Sequence, residues 1–307
     1  MDSTSRNQKV VLPLLEEYGI SLFVKREDQI DPLISGNKYR KLKYNIKKAQ
    51  EEHHRTLLTF GGAYSNHISA VAYAGKKFGF QTIGIIRGDE LKEDLIGTLK
   101  VNPTLGLASE HGMNFDFVSR SNYRLKDTAH FINELREKYG EFYLIPEGGT
   151  NDLAIIGCEE ILEDSDQIFD MICVSVGTGG TISGIINSAR RDQFVMGFPA
   201  LKGDFLAKQI KEFIQSKNNW SLINEYHFGG YAKVNEELVK FINNFKFETS
   251  IPLDPIYTGK MMFGILDLIK RGRFSKGTKI LAIHTGGLQG ILGMNIKLKN
   301  KKLPVIQ

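Results

Sequence analysis

The chain has 307 residues, 41% hydrophobic and 24% charged, enough apolar material for one large or two modest cores. That composition argues against disorder, and no apolar run approaches the roughly 20 residues of a membrane-spanning helix. The formal net charge of +5 is spread through KYRKLKYNIKK, KRGRFSKGTK and KLKNKK with acidic residues between, which is not a nucleic-acid footprint; these runs are expected as solvated helix faces. Cys158 and Cys173 sit in apolar surroundings without CxxC spacing, so buried free thiols are expected rather than a disulfide or a zinc site. The first residues, MDSTSRNQKVVLPLLEEYG, lack a basic region, an apolar core and a small-residue cleavage site, which predicts a cytoplasmic location.

Short apolar runs alternate with helical patterns. SLFVKRED is expected as a strand and NKYRKLKYNIKKAQEE as a helix, with Tyr39, Leu42, Ile46 and Ala49 as its buried stripe. RTLLTFGG, FQTIGIIRG and NFDFVSR follow as strands, separated by the helical segments SNHISAVAYAGKKFG and EDLIGTLKVN. The helix RLKDTAHFINELREKYG then precedes the strand FYLIPEGG, and the helix LAIIGCEEILED precedes the nearly continuous apolar strand FDMICVSVGTGG. The segment after Gly290 is weakly patterned. Strand and helix in regular alternation imply an α/β fold with largely parallel sheets covered on both faces. Ligands in such sheets lie at the carboxyl ends of the strands. The glycine-rich segments FGGAYSN, PEGGTN, SVGTGGT and HTGGLQG each follow an expected strand, so four loops are placed to converge on one crevice.

In SVGTGGT a strand runs into Gly177, Thr178, Gly179, Gly180 and Thr181, with a helix beginning near Ile182. Backbone N–H groups at a helix start, unobstructed by side chains, form an anion cradle. No lysine follows the glycines, which sets a P-loop aside, and Ile182 stands where a dinucleotide fingerprint needs its third glycine. A small phosphorylated cofactor such as pyridoxal 5′-phosphate needs only the cradle and a lysine elsewhere; a purely structural turn is the competing reading. Lys38, in SGNKYRKLKYN, is either that lysine or a solvated charge at a helix start.

Taken together, VKREDQIDPLISGNKYRKLKY, TFGGAYSNHISAVA, VSVGTGGTISG, LDPIYTGKMMFGILDLI and IHTGGLQG resemble the pyridoxal-phosphate enzymes comprising 1-aminocyclopropane-1-carboxylate deaminase and D-cysteine desulfhydrase. The resemblance runs from about Leu22 to Gly290. It implies the two-domain tryptophan synthase β-like fold (fold type II), each domain a mainly parallel sheet flanked by helices. The larger, cofactor-binding domain would comprise residues 1–41 and 149–307, and the smaller 42–148. A homodimer is also implied.

The same resemblance implies roles residue by residue. Lys38 would carry the cofactor as a Schiff base, its pKa lowered by neighbouring cations. Lys41, on the same helix face, would reach the phosphate together with Gly177, Thr178, Gly179, Gly180 and Thr181. Lys43 and Lys47 have no counterpart and are expected to be solvated. Ser65, Asn66 and His67 would hold the substrate carboxylate, Ser65 also supplying the reactive hydroxyl and Asn66 reaching the cofactor's phenolate oxygen. Capping of the helix by Ser65 and Asn66 is compatible with this. Tyr64 departs from the expected glutamine and bears on pocket shape. Tyr257 would stand near the reacting carbons and Tyr231 would be a second active-site tyrosine. Thr258 would face the pyridine nitrogen, where the cyclopropane deaminases place a glutamate. A neutral hydroxyl there gives a weaker electron sink, sufficient when thiolate leaves. His67, where those deaminases tend to have glutamine, points the same way. His53 and His54 are not a metal pair, and His284 is expected to be structural. The implied activity is α,β-elimination on D-cysteine, with cyclopropane ring opening as one alternative and a non-catalytic phosphate- or nucleotide-binding protein as another.

Overall fold

The computed structural model describes residues 4–215 and 217–307, which contain ten strands. They are β1 (Asn7–Lys9), β2 (Ser21–Lys25), β3 (Thr56–Gly62), β4 (Gln81–Arg87), β5 (Met113–Val118), β6 (Tyr143–Ile145), β7 (Met171–Val176), β8 (Phe194–Pro199), β9 (Trp220–Leu222) and β10 (Lys279–Ile283). Strands β2 to β7 and β10 fall on the expected runs, whereas β1, β8 and β9 were not foreseen. One sheet has the order β1-β2-β10-β7-β8-β9 and the other β5-β4-β3-β6. All pairings are parallel except that of β1 with β2.

Strand β10 shows why its sequence is apolar after the exposed Lys279. Ile280 and Ala282 face one core with Met261, Met262 and Ile265, while Leu281 and Ile283 face another with Ile182, Ile185 and Ile186. Successive side chains of a strand point to opposite faces, so a strand covered by helices on both sides must be apolar at every position. The smaller sheet uses only residues between 56 and 145, the larger only 7–25 and 171–283. On that division we propose the two-domain reading. Helix Asn37–Glu51 runs unbroken across residues 41 and 42, however, so that position is no hinge.

The basic run of this helix is not the solvated face expected from charge. Arg40 is 3% exposed and donates twice to Glu27 at 2.9 Å, and Lys41 is 2% exposed. A buried cation is tolerated only when its donors face acceptors; here Nε and Nη2 bond Glu27 and Nη1 faces Glu160 at 3.8 Å. Lys43 also departs from expectation, donating to Glu160 at 2.7 and 2.9 Å, whereas the side chain of Lys47 is 67% exposed. The helix expected from Arg124 begins at Ala129, where Thr128 accepts from the Phe131 amide. The weakly patterned C-terminal segment contains helix Gly290–Asn300, whose buried positions are only Gly293, Met294 and Leu298. Three small or scattered contacts do not make a legible stripe. Cys158 and Cys173 are free and buried, and burial pushes the Cys158 thiol up to about 11.

Candidate active site

All four glycine-rich loops reach one cavity that opens to solvent. FGGAYSN supplies Ser65 and Asn66, PEGGTN supplies Gly148, SVGTGGT supplies Ser175 to Gly179 and Thr181, and HTGGLQG supplies Thr285 to Gly287 and Gln289. Helix Asn37–Glu51 enters from the side with Asn37, Lys38 and Lys41. Gly36 makes this entry possible. It has φ +65° and ψ −145°, and a Cβ there would lie 2.0 Å from the Thr285 carbonyl oxygen. Only glycine adopts that conformation at that separation, so the lysine-bearing helix abuts the loop after β10.

Lys38 Nζ donates to Asn37 Oδ1 at 3.2 Å, and Asn37 Nδ2 donates to Thr181 Oγ1 at 2.8 Å. Burial of the amine, with Lys41 nearby, lowers it to about 7. Lys41 Nζ donates to Gly148 O at 3.0 Å and Thr150 Oγ1 at 2.9 Å and approaches Thr178 Oγ1 at 3.4 Å; burial lowers it to about 8. Gly179, at φ +82°, precedes helix Gly180–Ser188, and a Cβ on Gly180 would meet Lys41 Nζ at 3.2 Å and Thr150 at 2.9 Å. Gly180 itself does not line the cavity; its lack of a side chain lets the lysine close on the cradle.

Ser65 precedes helix Asn66–Phe78 without a side-chain capping bond, so its hydroxyl is not committed to the helix. Asn66 Oδ1 is buried with no partner. His67 is 1% exposed, and its Nε2 lies 2.8 Å from Thr59 Oγ1, whose proton goes to Ile145 O at 2.8 Å. The imidazole therefore donates to Thr59. Burial, then Lys38 and Lys41, hold it well below the usual histidine range and so neutral. Its other edge packs on Gly149, where a built Cβ would lie 3.0 Å from Cε1. His67 is thus a wall of the cavity and not the carboxylate donor expected of it.

Tyr231 and Tyr257 both line the cavity, ring centroids 6.2 Å apart at 63°. Tyr257 is half-buried, and desolvation raises its hydroxyl well above the usual range, whereas Tyr231 is 46% exposed. Two expectations fail. Thr258 is fully buried, donates to Asp254 Oδ1 at 2.7 Å, accepts from the Asp254 amide at 2.9 Å, and does not line the cavity. Its hydroxyl closes the turn before helix Thr258–Lys270, which a strand-and-helix reading had no means to reveal. Tyr64 likewise turns away, its ring beneath Lys297 Nζ at 4.7 Å and against Gly293. Residues missed by sequence reasoning are Ser175 and Thr285, whose hydroxyls lie 3.1 Å apart on the cavity wall, and Asn37. Thr285 was signalled only by its place in HTGGLQG.

The sequence profile described as "Pyridoxal-phosphate dependent enzyme" matches residues 6–286. The chain belongs to that family. A Pyrococcus furiosus protein provisionally named 1-aminocyclopropane-1-carboxylate deaminase is 33% identical over 89% of this chain and 86% of its own length. The Arabidopsis thaliana mitochondrial "Bifunctional D-cysteine desulfhydrase/1-aminocyclopropane-1-carboxylate deaminase" is 32% identical over 89% of this chain and 74% of its own. A crystal structure described as an ACC deaminase homologue superposes with TM-score 0.82 at 28% identity, covering 97% of this chain and 94% of that one. The chain is accordingly a pyridoxal 5′-phosphate enzyme of the deaminase and desulfhydrase group with the fold type II architecture, which sets aside the non-catalytic reading. Among the described residues, no helix is long and apolar enough to cross a membrane.

The donor set fits the cofactor. Two amines, half-buried Lys38 and buried Lys41, hydrogen-bond among the described residues to neutral oxygens, and a phosphate beside them would supply the missing negative charge. The orphaned Asn66 Oδ1 marks a side-chain amide that lacks a partner inside this cavity. Lys41→Met is expected to weaken cofactor affinity about 10- to 100-fold, about 1.4–2.8 kcal/mol, checked by titrating cofactor-free protein and following absorbance.

Proposed function

We propose that the chain eliminates thiolate from D-cysteine, converting D-cysteine and water to pyruvate, ammonia and hydrogen sulfide. The observation that carries this is the absence of a carboxylate from the cavity wall. Among the described lining residues there is no carboxylate, and the hydroxyls of Ser175 and Thr285 stand there instead. In this reading Thr285 takes the part expected of Thr258 toward the pyridine nitrogen. A hydroxyl does not hold that nitrogen protonated, which suits a substrate whose leaving group departs with its own electron pair better than a carbocycle that must be opened.

When bound, pyridoxal phosphate supplies an electron sink conjugated to the substrate nitrogen. The protein's residues do the rest. Lys41 and the loop Gly177 to Thr181 fix the phosphate at the start of helix Gly180–Ser188. Ser65 and Asn66, at the start of helix Asn66–Phe78, orient the substrate carboxylate, and the free Ser65 hydroxyl stands by to relay a proton. Lys38, lowered to about 7, is half in its neutral form near that pH and accepts the Cα proton. Tyr257, held protonated by burial, donates toward the departing sulfur. A homodimer and a cytoplasmic location belong to the same reading; light scattering of the purified protein tests the first.

Products decide between substrates. Purified holoenzyme given D-cysteine is expected to release sulfide and pyruvate in equal amounts, with turnover of 1-aminocyclopropane-1-carboxylate to 2-oxobutyrate at least about tenfold slower in kcat/KM. The names of the relatives carry both activities, which makes ring opening the second reading. Faster 2-oxobutyrate formation would establish it.

A further inference from the structure

We propose that Lys260 is a positioning residue: from helix Thr258–Lys270 it clamps the loop that carries Tyr231 into the active site. Its Nζ donates to His227 O and to Gly230 O, both at 2.9 Å, and the residue is 2% exposed. The loop needs holding. Phe228, Gly229, Gly230 and Ala232 all lie in the left-handed region, at φ 53°, 90°, 116° and 54°. Two of these four are not glycine, so surrounding contacts must over-determine the conformation. Phe228 packs edge-on against Phe263 of the same helix, ring centroids 5.0 Å apart, and Lys260 secures the carbonyls on either side of it.

The amine is otherwise costly. Both acceptors are neutral, and burial lowers Lys260 to about 8. A methionine would fill the same volume without that desolvation, and among the described residues would leave each loop carbonyl with only its backbone donor, Gly230 N to His227 O at 3.0 Å and Lys233 N to Gly230 O at 3.2 Å. Helix Thr258–Lys270 begins directly after Tyr257, whose ring meets that of Tyr231 at 6.2 Å. One helix thus holds Tyr257 at its start and, through Lys260, holds the loop of Tyr231. The distance between two cavity-lining tyrosines is set by a residue that does not touch the cavity.

The catalytic half of this inference rests on the proposed role of the tyrosines, and the structural half does not. Hydrogen–deuterium exchange of the holoenzyme is therefore measured first, comparing wild type with Lys260→Met, and with Lys260→Gln should the methionine variant not fold. Amides 228–233 are expected to exchange at least about tenfold faster while protection in β7 and β10 is unchanged. Equal exchange would overturn the clamp whether or not either substrate is turned over. The same variant is then combined with Tyr231→Phe and assayed with whichever of D-cysteine and 1-aminocyclopropane-1-carboxylate the wild type consumes. In the wild-type background kcat is expected to fall about tenfold with KM changing less than about threefold; in the Tyr231→Phe background the further loss is expected to be below about twofold. An equal loss in both backgrounds would overturn action through Tyr231. Absence of turnover with both substrates would overturn the proposed activity and leave the exchange result to decide the clamp.

Discussion

Lys38→Ala is expected to lower turnover by at least about 10⁴-fold and to abolish the visible absorbance of bound cofactor. The size follows from the site. Among the described residues no other amine lining the cavity is free to replace it, because Lys41 is held by Gly148 O and Thr150 Oγ1 beside the phosphate cradle. The loss is not expected to come from unfolding: deletion removes a buried amine and opens only onto an existing cavity, so the cofactor-free variant should melt no lower than cofactor-free wild type at pH 7. The pH dependence carries a sign. Lys38 is lowered to about 7, so the neutral, nucleophilic form accumulates as pH rises through about 7. Reconstitution with pyridoxal phosphate should accelerate across that window and level off above it. By linkage, an unfolded chain with an ordinary lysine binds a proton that the cofactor-free fold resists, so this group's contribution to stability falls as pH drops from about 10.5 toward 7.

Gly36→Ala is the second large effect. The new methyl would stand 2.0 Å from Thr285 O and 2.6 Å from Gly286 N, and φ +65° with ψ −145° is a glycine conformation. Left-handed strain of about 1–2 kcal/mol and overpacking of about 1–3 kcal/mol add to roughly 2–5 kcal/mol. Thermal melting should fall by about 10 °C, and cofactor titration should show a shared loss, because the helix of Lys38 and the loop of Thr285 must both move. Gly79→Ala is the contrast. It too has positive φ but meets nothing within 4 Å, so strain acts alone and cofactor affinity should be unchanged.

The fold was largely legible because parallel strands covered on both faces are apolar along most of their length, as the runs MICV and LL within FDMICVSVGTGG and RTLLTFGG are. The cavity was legible because its walls are glycine loops after those strands, a positional rule that needs no contact information. Burial of cations was not. Arg40 looks like part of a solvated face until Glu27, 13 positions away, is brought against it. Hydroxyl roles were the hardest to foresee. Thr258 and Thr285 are chemically equivalent in sequence, and only the Asp254 turn, which takes the hydroxyl of one, leaves the other on the cavity wall. Lys260 was invisible for the same reason, since its acceptors are main-chain carbonyls 30 and 33 residues distant.

Borohydride reduction of the holoenzyme, followed by proteolysis and mass analysis of every lysine peptide, tests the central assignment most directly. The expected product carries one phosphopyridoxyl group on Lys38 and none elsewhere. A label on Lys41 or Lys260, or a protein that takes up no cofactor to be trapped, would contradict the placement of Lys38 at the reacting centre.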